Sequence, residues 1–220
     1  MDLRMRQKSV LNIWPAFTDV SIAMLLIFLF FLFYQFVANS KLFQIMRMEK
    51  KQDTIEIAFN NRFANEIRDR IISIERDGNL QRFMFSDRIL FNTDEAKLLP
   101  LGRITLTAVG RFFQQYRTDK EGQRLYKSIQ IEGHTDNVPI ISPDRSNWEL
   151  SSDRAIAVLR LFENIGIDPR TLTATGYSKY RPAAGDSSNI RRANNTAAKR
   201  AKNRRIEIVL VYSETEEHQP

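Results

Sequence analysis

Apolar residues follow three different patterns along this chain. From Trp14 to Ala38, leucine, isoleucine and phenylalanine occur all around a helical wheel with no polar face, as a helix embedded in lipid requires. That run is about 25 residues long, enough for a tilted membrane span. Further on, Ile55, Phe59, Phe63, Ile67, Ile71 and Ile74 recur every three or four residues and mark one face of a helix. No Gly or Pro occurs from Ala16 to Asp77, so the whole stretch predicts helix, with a hinge near Asn39-Ser40. Pro15 suits a first helical turn and Trp14 a membrane interface. The second stripe fits either a face packed on its own domain or the seam of a dimer; a narrow stripe leading away from a membrane favours the seam.

The third pattern alternates between helix and strand periods. Asp77-Gly78-Asn79 marks the boundary of a globular domain. Arg82 to Phe91 predicts extended chain, with Phe83, Phe85, Ile89 and Phe91 on a hairpin or bent strand. Pro100 opens a helix with Leu101, Ile104, Ala108, Phe112 and Tyr116 on one side. Ser128 to Glu132 alternates as a strand, and Trp148 to Ile165 predicts a second helix ended by Gly166. Thr171 to Tyr177 is a further strand, Arg191 to Ala201 a short helix, and Arg205 to Tyr212 a final strand with Ile206, Ile208 and Leu210 on one face. The expected fold class is α/β: one N-terminal transmembrane helix continuing into a linker helix, then a small sheet with helices on one side. The expected organisation is a tail at 1–12, a span at 13–38, a helical linker at 39–77, a globular domain at 78–213 and an unstructured tail at 214–220.

Composition narrows the chemistry. The net charge of +7 and pI near 9.8 suit an anionic partner: a membrane surface, a nucleic acid or a carboxylate-bearing polymer. The absence of cysteine excludes disulfides and Cys-ligated zinc, and His134 and His218 are too few for a His-rich metal site. No cofactor is expected. The apolar run exceeds the roughly 7–15 residues of a signal-peptide core, although Ala38-Asn39-Ser40 has the look of a weak cleavage site. Arg4, Arg6 and Lys8 precede the run while Lys41, Arg47, Lys50 and Lys51 follow it, so flanking charge does not orient it.

Three stretches carry the specific signal: Ile131-Glu-Gly-His-Thr-Asp-Asn-Val-Pro139, Asn147-Trp-Glu-Leu-Ser-Ser-Asp-Arg-Ala155 and Asn203-Arg-Arg-Ile-Glu207. Their order and spacing, with Gly176-Tyr177 and Pro182, resemble the OmpA-like peptidoglycan-binding domain over roughly residues 80–212. The residues make chemical sense independently. Gly133 permits a close backbone turn at a strand end, Asp136 follows on a loop, and Ser151, Asp153 and Arg154 sit at a helix start. An aspartate and an arginine converging there can hold a zwitterion by its ammonium and its carboxylate. The resemblance implies that Asp136 and Arg154 clamp the diaminopimelate of a peptidoglycan stem peptide, with backbone N–H groups near Asn137 adding hydrogen bonds. It further implies support or secondary contact from Arg204 or Arg205. The plain alternative is a structural Asp136–Arg154 ion pair.

Other chemistries fare worse. His134 with Asp136 suggests a dyad, but no nucleophile stands at a recognisable elbow and no Gly-rich phosphate loop is present, so no enzyme activity is expected. Arg191, Arg192, Lys199, Arg200, Lys202, Arg204 and Arg205 form a basic cluster; a solvated helix plus the domain's own arginines explains it better than nucleic-acid binding. Lys199-Arg200 stands where the family often has Gly-Arg, which puts the local backbone shape in question.

The last signal is Asp19, an ionisable group close to the start of the apolar run, where it costs a few kcal/mol unless something stabilises it. A first-turn acid held by the helix dipole is the bland account. An intramembrane aspartate, one span and a tethered OmpA-like domain together resemble the B-type subunits of flagellar stator motors, and His134-Thr-Asp-Asn-Val-Pro-Ile140 is closer to those than to porin-type proteins. That resemblance implies an ion-carrying Asp19 with Thr18 beside it, a homodimer inside a pentameric ring of A-type subunits, a cytoplasmic N-terminus and a periplasmic C-terminal domain at the inner membrane. The short spacer between span and domain resembles the B subunit of Zorya antiphage defence systems more than a flagellar stator. A passive wall tether is the third alternative, against which Asp19 argues.

Overall fold

The computed structural model describes residues 13–140, 145–183 and 188–212. The expected tails at 1–12 and 214–220, and His218 with them, lie outside the described residues. The chain divides into two units, residues 1–46 and 47–220.

In the first unit, helix α1 (Trp14–Arg62) is uninterrupted at Asn39-Ser40, so the expected hinge is absent. Ser40 instead donates its hydroxyl to the Val37 carbonyl at 2.8 Å, a bond that fits within a helix. Every residue from Ile13 to Arg47 is exposed, the leucines and phenylalanines included. The segment is long and apolar enough to cross a membrane.

The second unit starts inside the same helix. Gln52, Ile55 and Phe59 are buried on it, and Phe63 follows just past its end. Phe59 stacks among Phe63, Phe83, Phe112 and Phe113, with ring centroids 4.4–5.9 Å away. The stripe read as a dimer seam is therefore part of the domain's own core. Polar contacts reinforce the docking: Gln52 Nε2 donates to the Gly78 carbonyl at 2.9 Å, and Arg76 pairs with Asp53 and Glu56 at 2.7 and 2.6 Å.

Helix also ends earlier than the absence of Gly and Pro predicts. After α2 (Ala64–Arg68), Arg70 turns the chain with φ 57°, and β1 (Ile72–Asp77) pairs antiparallel with β2 (Leu80–Ser86) around Gly78. The hairpin partner overrides local helix preference here. Residues 82–91 are extended only to Ser86; α3 (Asp87–Leu90) is a single helical turn that tucks Leu90 into the core.

The sheet has five strands in the order β1-β2-β5-β3-β4. β3 (Ser128–His134) and β4 (Leu172–Gly176) run parallel, while β5 (Arg205–Val211) lies antiparallel between β2 and β3. Helix α5 (Asn147–Asn164) packs on β3 and β4 and against α4 (Pro100–Gln115). The result is the expected long apolar helix followed by an α/β domain, whose sheet proves to be mixed.

The core face of α4 is rotated from its expected position. Gly102, Leu106, Val109, Gly110, Phe112 and Phe113 are buried, whereas Leu101 and Ile104 are exposed. The reason is close approach. A Cβ at Gly102 would come within 2.7 Å of Leu90 Cα, and one at Gly110 would press on the Ile165 and Phe162 side chains. Glycine carries no hydropathy signal, yet two glycines define this contact face. Chain 191–201 likewise divides into two short helices, α6 (Ile190–Ala193) and α7 (Ala197–Asn203). The buried Asn203 amide joins them through the Ala193 carbonyl and Asn194 Oδ1, each at 2.9 Å.

Candidate binding site at the strand ends

The site is built where β3 and β4 end. Gly133 and Gly176 are partners in that parallel pair. A Cβ on Gly133 would overlap the Ser151 carbonyl, and one on Gly176 would collide with the Ser151 and Ser152 side chains. The two glycines thus let the first turn of α5 rest on the strand ends. The service Gly133 provides is space for a helix rather than a turn of its own. Ser146 caps that helix: its Oγ accepts from the Trp148 N–H at 3.2 Å, and the Glu149 carboxylate accepts from the Ser146 N–H at 2.8 Å, completing a capping box.

Four charged side chains alternate in sign here. Asp136 pairs with Arg204, and one of its oxygens also accepts from the Val138 N–H at 2.9 Å. Asn137, half-buried, lies inside that turn. Arg154 pairs not with Asp136 but with Asp87, at 2.9 Å. Its other N–H groups donate to the carbonyls of Glu95 and Asn92 at 2.8 and 2.9 Å, with the Phe91 ring 5.0 Å away. The Asp87 N–H in turn donates to the Arg204 carbonyl at 3.2 Å, so the two pairs adjoin. Arg154 is only 2% exposed and Asp136 5%, while a third of the Arg204 side chain reaches solvent. The structural Asp136–Arg154 ion pair is therefore not formed. Asp136 and Arg204 form the accessible pair, and Arg154 with Asp87 lies behind it.

Burial dominates the electrostatics of the inner pair. It pushes the Asp87 carboxyl up to about 6, although Arg154 and Arg204 pull the other way. Burial also lowers the Arg154 guanidinium from its usual range against the attraction of Asp87. Asp87 escaped the sequence reading because nothing distinguishes an aspartate after a strand from an ordinary turn residue until the fold brings α5 beside it.

Arg205 differs from its neighbour. It is the first residue of β5 and is buried, bonded to Glu207 at 2.5 Å and to the Arg181 carbonyl at 3.1 Å. Glu207 faces Glu132 across the β5–β3 pair, and Arg82 bridges both at 2.7 and 3.1 Å. His134 completes this cluster, 3.6 Å and 3.7 Å from the two glutamates, with its ring 5.4 Å from that of Tyr177. Burial pushes the imidazole pKa down, which favours the neutral form. Glu132, His134 and Glu207 could present three ligand atoms within 4.8 Å of one another. Two arginines already neutralise the carboxylates, so this donor set suits a structural charge network better than a cation. His134 and Asp136 share no hydrogen bond, so the suggested dyad does not form.

In the basic cluster, Lys199 Nζ donates to the Arg192 carbonyl and Arg200 to the Asn194 carbonyl, each at 3.0 Å. The lysine–arginine pair that departs from the expected pattern thus ties α7 to the end of α6. In the first unit, Asp19 is the sixth residue of α1, about 7–8 Å along the axis from Trp14. The helix has no acid in its first turn, so the dipole account of Asp19 loses its basis. The Thr18 hydroxyl donates to the Trp14 carbonyl at 2.9 Å and keeps acceptor capacity.

The comparisons with known proteins agree with this architecture. Residues 90–196 match the OmpA family, and the second unit is an OmpA-like α/β domain. Its neighbours among solved structures are MotB-like: a MotB-like protein from Desulfovibrio vulgaris superposes with a TM-score of 0.64 at 26% identity, over 80% of this chain and 99% of that one. Motility protein B of Bacillus subtilis is 40% identical over 87 residues, 39% of this chain and 30% of the relative. The uncharacterized protein YtxE of the same organism is 29% identical over 171 residues, 77% of this chain and 64% of the relative. The matches thus cover less than two thirds of either curated relative. The cell wall anchor of the T6SS from Pseudomonas aeruginosa shares the fold, with a TM-score of 0.57 at 24% identity, over 70% of this chain and 97% of that one.

Proposed function

We propose that this chain is the wall-anchored B-type subunit of an ion-driven motor in the bacterial inner membrane. The observation that carries this reading is one chain joining an aspartate-bearing apolar helix to an OmpA-like domain. Asp19 takes up and releases H⁺ or Na⁺ from a depth at which an acid is costly without a function. Thr18 supplies a neighbouring oxygen. The N-terminus is cytoplasmic and the OmpA-like domain periplasmic. Two copies stand inside a pentameric ring of A-type subunits, meeting through a surface other than the Ile55–Phe59–Phe63 stripe, which the domain core already uses.

The domain holds peptidoglycan by the diaminopimelate of its stem peptide. Asp136 receives the ammonium, and Arg204 is the accessible cation for the carboxylate. Arg154 contributes from behind, its guanidinium exchanging Asp87 for the ligand. N–H groups near Asn137 add hydrogen bonds, and Arg205 supports the strand that presents Arg204. Since the domain's compact unit begins at Arg47, the spacer after the span is short, which favours a Zorya-type antiphage motor over a flagellar stator.

Asp19→Asn, expressed with its ring partners, is expected to abolish motor-dependent function while leaving membrane insertion and wall binding intact; full function in that variant overturns the motor reading. Asp136→Ala with Arg154→Ala is expected to lose co-sedimentation with purified sacculi, and undiminished sedimentation rejects the roles given to Asp136 and Arg154 in holding the ligand.

A further inference from the structure

We propose that Trp148 and Tyr180 form a platform for a sugar ring of the glycan strand, next to the peptide site. This inference rests on the peptidoglycan reading and adds a second binding element to it. The two rings stack at 5.4 Å between centroids and 25° between planes, yet the residues remain 47% and 52% exposed. Aromatic residues of this size are ordinarily spent inside a core or an interface. Here two of them are stacked on one another at the surface.

The fold holds them in place. Trp148 lies in the capped first turn of α5, and its carbonyl accepts from Ser151 Oγ at 3.0 Å. The same Ser151 Oγ accepts from the Ser178 N–H at 3.0 Å. Ser178 is buried with φ 51°, a conformation uncommon for a non-glycine residue, and its carbonyl accepts from the Thr135 N–H at 3.0 Å. Tyr180 closes that turn, its N–H donating to the Tyr177 carbonyl at 3.1 Å. One buried serine therefore fixes both halves of the platform.

Its chemistry and its position select the occupant. A pyranose presents a face of axial C–H groups, weakly positive, and a rim of hydroxyls; an aromatic face is weakly negative. A sugar therefore suits a small apolar platform with polar neighbours. Lys179 supplies such a neighbour, with Nζ 5.7 Å from the Tyr180 ring centroid. Asn147, beside Trp148, donates to the carbonyls of Asp136 and Val138 at 3.4 and 2.9 Å, which ties the helix turn that carries Trp148 to the loop that carries Asp136. In peptidoglycan the peptide is covalently joined to the glycan, so one polymer presents a sugar and a stem peptide together. Holding both parts of one polymer raises avidity without any new peptide contact.

The test uses the full chain in detergent with Trp14→Phe, which leaves Trp148 as the sole indole. The probes are peptide-free glycan strands, a free tripeptide ending in diaminopimelate, and intact sacculi. Glycan strands are expected to change Trp148 emission saturably, including in Asp136→Ala, which loses the tripeptide. Trp148→Ala with Tyr180→Ala is expected to weaken sacculus binding about tenfold while tripeptide affinity stays within about twofold; Trp148→Phe retains most of the binding. Absence of any response to glycan strands overturns the platform, as does unchanged sacculus affinity in the double variant. A parallel fall in tripeptide affinity also overturns it, because the rings would then be scaffold. If the parent chain fails to bind the tripeptide, the peptide-site assignment falls, and the glycan response still decides the platform.

Discussion

The two halves of α1 are the same secondary structure under different rules. Neither contains a glycine or a proline after Pro15. From Trp14 to Ala38 the helix is apolar on every side and wholly exposed within the chain. From Arg47 to Arg62 it buries only Gln52, Ile55 and Phe59, and presents Lys50, Asp53 and Asn60 to solvent. The first half matches lipid, whereas the second is organised by its contacts with the domain. Mutational sensitivity should therefore reverse between the halves: polarity matters in the first, volume in the second.

The largest effect is expected from volume. Phe59→Ala removes the ring at the centre of the phenylalanine cluster and should cost the domain about 3–5 kcal/mol. Phe30→Ala, in the exposed half, should leave the domain's denaturant midpoint unchanged. Equal losses would break the comparison. Polarity comes next. Leu29→Lys should oppose membrane insertion by about 3 kcal/mol, seen as loss from the membrane fraction after alkaline extraction. Ile57→Lys, on the exposed side of the second half, should stay within about 0.5 kcal/mol in domain stability.

A third test addresses how far the domain behaves as a dry interior. The Asp87 carboxyl is raised from 3.8 to about 6 in the fold, so the folded state holds this proton more tightly than the unfolded chain. The resulting stability is fully present below about pH 3.8 and is lost as pH rises through 6. It amounts to about 2–3 kcal/mol. Other groups add their own slopes, so the measurement is the difference between the parent chain and Asp87→Asn, which should lack this contribution. Parallel pH profiles for the two chains would show that Asp87 is not buried as the structure has it. The smallest effect belongs to Ser146→Ala. Losing the cap of α5 should cost about 1 kcal/mol and loosen Trp148, measured as a lower melting temperature together with higher mobility of the indole.

Much of the site was legible in one dimension, but its pairing was not. Asp136, Arg154 and Arg204 stood out because three motifs kept their order and spacing. Which arginine faced Asp136 depended on the path of α3, which places Asp87 against Arg154 and leaves Arg204 for Asp136. Trp148 was visible as a letter in a motif, whereas Tyr180 acquires meaning only through the Ser178 turn that brings it against the indole. The rotated face of α4 was concealed because its closest contacts are made by Gly102 and Gly110, which a hydropathy pattern cannot score.

The sequence by itself therefore determined the apolar span and the alternation of helices and strands, because those depend on local periodicity and on which solvent each face requires, and the order of the three motifs, because that depends on residue identity and spacing. Tertiary structure alone decided that the stripe after the span belongs to the domain core, that β1 replaces the end of a predicted helix, and that the accessible ion pair is Asp136 with Arg204. Those outcomes depend on partners distant in sequence: a strand that finds its hairpin, a phenylalanine that finds four others, and buried charges that must each find an opposite one.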